Sequence, residues 1–189
     1  MMRLVIVSAV SIFLFSCSNS SEKDISVEQP TIEKDTIIDT FEERAAEVEK
    51  YSAILFSDSL NTNDEVALKL LNAYEEYIHY HSFETISMEY QFRAGELAKA
   101  LNKPHVAIKH FNGLLERAPN HERAPLALFY KAMVIGDILL EHENAKRYYQ
   151  EFIDKYPTHP LVESAKESIK LQGKSLEEIV KEFEKKNAS

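Results

Sequence analysis

The chain has 189 residues, 28% of them charged and 44% hydrophobic, which suits one domain with a real core. Its four glycines and six prolines are too few for a turn-rich β fold, and a formal net charge of −9 without any basic stripe argues against nucleic-acid binding, which rests on phosphate neutralisation. Cys17 is the only cysteine, which excludes an intramolecular disulfide and a cysteine-based zinc site.

Residues 1–16 read as a signal peptide: Arg3 gives a positive start, and Leu4–Phe15 is an apolar stretch too short to span a bilayer. The stretch ends in Leu14-Phe15-Ser16-Cys17, an aliphatic residue, a tolerant position, a small residue and a cysteine. That order resembles the lipobox of bacterial lipoproteins and makes Cys17 the expected lipidation site. Ser18, in place of aspartate, resembles an outer-membrane sorting signal, so the expected address is the outer membrane, facing the periplasm. Residues 17–39 form the lipidated N-terminus and a polar, acidic tether without apolar periodicity. With two or more acyl chains, such an anchor holds stably to a membrane.

Residues 40–189 read as helices throughout. Thr40-Phe41-Glu42-Glu43 has capping-box spacing, and Ala45, Val48, Tyr51 and Leu55 continue a helical stripe. A loop is expected over Ser57–Asn63, then a second helix with Val66, Leu70, Leu71, Tyr74, Tyr77 and Ile78 on its apolar side. A third helix runs from about Phe83 to Leu101 with Ser82 as N-cap, and Pro104 opens a fourth that Pro119 stops. Pro125 opens a fifth, to about Leu140; a sixth reaches Lys155; Pro160 opens a seventh that Gly173 closes. Ser175-Leu176-Glu177-Glu178 is a second capping box and starts the eighth.

Two stretches repeat one pattern 38 positions apart: Ala107 and Ala145, Phe111 and Tyr149, Leu115 and Ile153, Pro119 and Pro157. Self-similarity of this period signals stacked supersecondary units. The second helix aligns as a degenerate first copy, with Ala67 for Ala107, Leu71 for Phe111 and His79 where the proline belongs. Paired helices with short turns, repeated, predict an all-α, right-handed α-solenoid.

These residues resemble tetratricopeptide repeats: the small residue of the second helix (Ala107, Ala145), the following aromatic (Phe111, Tyr149) and the terminal proline (Pro119, Pro157). The small residue of the first helix is Gly95 in one copy but Met133 in the other, and the characteristic tryptophan is absent. The long period is similar to that of the tetratricopeptide domain of the Tol-Pal-associated cell-division coordinator and of the outer-membrane-assembly lipoprotein. The resemblance implies a lipid-anchored adaptor for protein or peptide partners, in outer-membrane assembly or envelope maintenance. It also implies a concave groove lined by the first helix of each pair, placing Glu89, Phe92, Glu96, Lys99, Tyr130, Val134 and Asp137 there, together with Ala127. Phe92 and Tyr130, at one repeat position, would form an aromatic centre with a charged rim; the alternative is that they pack between helices.

Other chemistry is weak. His79-Tyr80-His81 does not place both rings on one helical face, so no metal site is expected. His121 and His159, just past the prolines, read as turn residues. No nucleophile constellation, paired carboxylates or phosphate loop occurs at usable spacing, so neither an enzyme nor a cofactor is expected. The runner-up reading is a structural homo-oligomer whose apolar repeat faces pair with copies of itself.

Overall fold

The computed structural model describes residues 40–57 and 63–187. The signal peptide, Cys17, the tether and most of the loop expected at Ser57–Asn63 lie outside these residues. Among the described residues the architecture is the expected all-α helical repeat solenoid: α1 (Phe41–Ser57), α2 (Asp64–Tyr80), α3 (Thr85–Ala100), α4 (Pro104–Arg117), α5 (Ala124–Met133), α6 (His142–Lys155), α7 (Val162–Leu171) and α8 (Leu176–Asn187). Each of α2 to α7 packs on the helix before it. No described helix is long and apolar enough to cross a membrane.

Local chemistry sets most of the boundaries. Thr40 and Glu43 exchange the two hydrogen bonds of a capping box, Glu43 N–H to Thr40 Oγ1 at 3.1 Å and Thr40 N–H to Glu43 Oε2 at 3.2 Å. Ser175 and Glu178 do the same ahead of α8. Asn63 Oδ1 accepts from the N–H groups of Glu65 and Val66 at the start of α2. Pro104 stands at the first position of α4, and Gly173 takes the left-handed conformation, φ +83°, after α7.

The turns correct the register of the first repeat. After α2, α4 and α6 one pattern recurs: Glu84 N–H to the His81 carbonyl and Ser87 N–H to Glu84; His121 to Ala118 and Ala124 to His121; His159 to Tyr156 and Val162 to His159, all at 2.9–3.0 Å. His81, Ala118 and Tyr156 are therefore equivalent. Counting back, Tyr74 matches Phe111 and Tyr149, Tyr77 matches Leu114 and Phe152, and Leu70 matches Ala107 and Ala145. Ser82, not His79, occupies the proline position, and Ala67 and Leu71 lie one slip away from the residues they were aligned with. The slip is three residues, which turns a helix position by only about 60° and leaves the apolar stripe nearly superposed. Ser82 is likewise no N-cap: Glu84 takes that place, without a side-chain cap bond, and α3 starts at Thr85. α7 starts two residues past the proline expected to open it.

The fifth helix also departs from expectation. α-Helical bonding stops at Met133, and Val134–Ile138 is π-helical, closed by Leu139 N–H to the Val134 carbonyl at 3.1 Å. Leu140 then adopts φ +59°, as Asn102 adopts φ +53° at the equivalent turn.

The core runs along the stack. Tyr77, Phe111, Leu114, Tyr149 and Phe152 are fully buried beside Ala107, Ala132, Ala145 and Ala165, whose small side chains let neighbouring helices approach. Gly95 shows the tolerance at the family's small position: a Cβ there would stand 2.5 Å from the Phe111 ring. Burial pushes the Tyr149 hydroxyl up to about 12, against the lowering effect of its hydrogen bond to Ser168.

Candidate functional site

α3 carries most of the expected groove residues, because helical spacing brings Glu89, Phe92, Glu96 and Lys99 to one side. α5 sets Tyr130 against them. The rings of Phe92 and Tyr130 stack, with centroids 6.0 Å apart and planes at 21°, and Phe111 of α4 lies 6.2 Å from each. Charged side chains then close over the rings. Lys99 Nζ sits 4.1 Å from the centre of Tyr130, and the Arg123 guanidinium 5.4 Å from that of Phe92. Glu89 holds both Arg93, at 2.9 Å, and Arg123, at 3.3 Å.

This corrects the aromatic groove centre. Phe92 is 3% exposed and Val134 0%, and Ala127 is also buried. In this stack Tyr130 of the next repeat lies directly on Phe92, so the position that would line a groove is roofed by its own equivalent. Tyr130, Glu89, Glu96 and Lys99 are half-buried and form the accessible part; Asp137 is exposed but accepts a hydrogen bond from Gln172 Nε2 at 3.1 Å. The surface is thus a charged lattice over a closed aromatic layer.

Beside it lies an open apolar hollow of about 260 Å³, lined by Phe56, Leu70, Tyr74, Arg93, Glu96, Leu97 and Ala100. Phe56, at the end of α1, is 69% exposed. Glu96 connects lattice and hollow. Burial raises its carboxyl pKa, against the lowering influence of Lys99, Arg123 and Arg93. Sequence reasoning missed Phe56 because it followed the stripe Ala45, Val48, Tyr51 and Leu55. A large apolar residue off that stripe was the available signal.

A second polar cluster ties α2, α3 and α4 together. His110, 2% exposed, has Nε2 3.1 Å from Glu75 Oε1 and Nδ1 2.9 Å from the Gln91 side chain, and Lys109 pairs with Glu75 at 2.9 Å. Burial lowers the pKa of His110, outweighing the pull of Glu75. Burial raises that of Glu75, but its bonds to Lys109 and His110 prevail and the net shift is downward. Nothing in the repeat pattern flagged these residues, since a histidine on an apolar stripe is indistinguishable from a surface one without its partners.

Two further histidines close turns. His121 Nδ1 accepts from Arg123 N–H and His159 Nδ1 from Leu161 N–H, as expected of turn residues. His79 is exposed against Tyr80, whereas His81 packs on Phe41 and Tyr77. No group of three or more metal-ligating side chains occurs among the described residues.

Compared with known families, the chain matches the tetratricopeptide repeat over residues 89–121 and 126–159. No curated protein matches it. The matched spans start within α3 and α5 and end in the turns after α4 and α6, so each covers one helix pair. Residues 89–121 and 126–159 thus match tetratricopeptide repeats, a type of element that generally mediates protein–protein interaction, within a longer helical stack.

Proposed function

We propose that the chain is a non-enzymatic, lipid-anchored adaptor of a bacterial envelope that holds protein segments at the α3 face, with a role in outer-membrane assembly or envelope maintenance. The observation that carries the docking reading is the hollow: Phe56 stands exposed over Leu70, Tyr74 and Leu97, with Glu96 and Arg93 at its lip. An apolar anchor point with charged groups beside it suits a peptide or helix better than a small polar metabolite. Anchoring rests on the Leu14–Cys17 sequence, and an acyl chain at Cys17 would keep the repeats at the membrane surface.

The test places photoreactive benzoylphenylalanine at Ala100, which lines the hollow, in the full chain in its own envelope. Cross-links to a polypeptide are expected, and Phe56→Ala should abolish them while changing stability by less than about 0.5 kcal/mol. The same products at the same yield from a probe at Lys69, on the exposed side of α2, would overturn the docking reading. The anchor is tested separately: Cys17→Ala should prevent acylation and leader removal, and a variant processed and membrane-held like the natural chain would sink it.

A further inference from the structure

Two exposed apolar surfaces lie in different parts of the described fold. One is the hollow, with Phe56 69% exposed at the end of α1. The other is α8, where Leu176, Val180 and Phe183, spaced on one helical stripe, are 77%, 47% and 55% exposed. None of the described helices covers that stripe.

We propose that the hollow receives α8 of a second copy of this chain, with Leu176 and Val180 entering beside Phe56 and Lys181 meeting Glu96. The proposal rests on the reading of the hollow as a docking face and names its occupant.

Charge favours this match. Lys99, Arg123 and Arg93 act on the half-buried Glu96 carboxylate through space, but it accepts no direct hydrogen bond among the described residues, a place a ligand's donor could fill. Lys181 adjoins Leu176 and Val180 in a shallow depression on α8, with Glu177 and Glu184 at its edges, and has no ion-pair partner among the described residues. Seating α8 puts an ammonium beside a carboxylate that accepts no hydrogen bond, and acidic edges beside Arg93, Lys99 and Arg123, the cations around Glu96. The alternative occupant for an amphipathic helix is a lipid surface, which selects a strongly basic polar face. α8 carries Glu177, Glu178, Glu182 and Glu184 against Lys181, Lys185 and Lys186, so it does not fit that pattern. The contact joins unlike surfaces, so it is head-to-tail and propagates from copy to copy unless a rotation closes it.

The test uses two tagged full-length chains together in the envelope, one with Ala100→Cys in the hollow and one with Glu177→Cys at the edge of the α8 depression, joined under mild oxidation. A disulfide between the two tags is expected. Glu96→Lys or Lys181→Glu alone should lower its yield about tenfold or more, since like charges then face each other. Both changes together, one in each chain, should restore it. A yield no higher than for Lys69→Cys with Glu177→Cys overturns the second-copy occupant, as does a yield indifferent to the charge changes. If that result coincides with Phe56-dependent cross-links from Ala100 to a foreign polypeptide, the docking reading survives and only its occupant falls. If neither signal depends on Phe56, both fall.

Discussion

Phe92 shows how one residue's role turns on its neighbour. The ring is stacked against Tyr130 and nearly out of solvent, so Phe92→Ala removes core rather than surface. The expected cost is about 3–5 kcal/mol, read as a fall in the urea midpoint. A change below about 1 kcal/mol would return Phe92 to the surface. Gly95→Ala should cost about 1–3 kcal/mol, because its Cβ would press into the enclosed Phe111 ring. Leu140 runs the other way. It holds a left-handed backbone with its side chain 67% exposed, where its counterpart Asn102 is the better-suited residue type. Leu140→Asn should therefore stabilise by about 0.5–1 kcal/mol and raise Tm by about 2 °C. A lowered Tm would mean that the leucine makes a contact worth more than the strain.

At the scale of elements, the His110 cluster joins α2, α3 and α4 through one ring. The His110 pKa is depressed in the folded chain, so its contribution to stability is present above the ordinary histidine value of about 6.5 and is lost as pH falls through the folded value. Glu75, also depressed, adds a loss at lower pH, below the usual carboxylate range. Urea midpoints measured from pH 8 to pH 5 should fall on acidification, and His110→Leu should flatten that slope. An equal slope in the variant would assign the pH dependence to other histidines. The cluster was illegible in sequence because Glu75 and Gln91 lie 35 and 19 positions from His110. The starts of α1 and α8 were legible, since each capping box is four consecutive residues whose bonds form locally.

Across the whole stack, stability is passed from each helix pair to the next. Gln172 is the fastening for α7. Its amide lies over Gly136 in the π-helical segment, 2.9 Å from His142 Nδ1 and bonded to Asp137. A Cβ at Gly136 would stand 2.5 Å from that amide, so Gly136→Ala should displace Gln172. Hydrogen exchange should then quicken in α6 and α7 and stay unchanged in α2 and α3. Uniform acceleration along the chain would show one cooperative unit instead of a stack.

The sequence by itself determined the helical class, the helix-pair repeat and its small and aromatic positions, because a 3.6-residue period and local caps need only near neighbours. Only the tertiary structure decided the register of the first repeat, since a three-residue slip hardly rotates an apolar stripe, whereas the turn hydrogen bonds allow one alignment. Only it decided that Phe92 and Val134 are core and that Phe56 and α8 are surface. Exposure belongs to what packs above a side chain, and that neighbour comes from the next repeat.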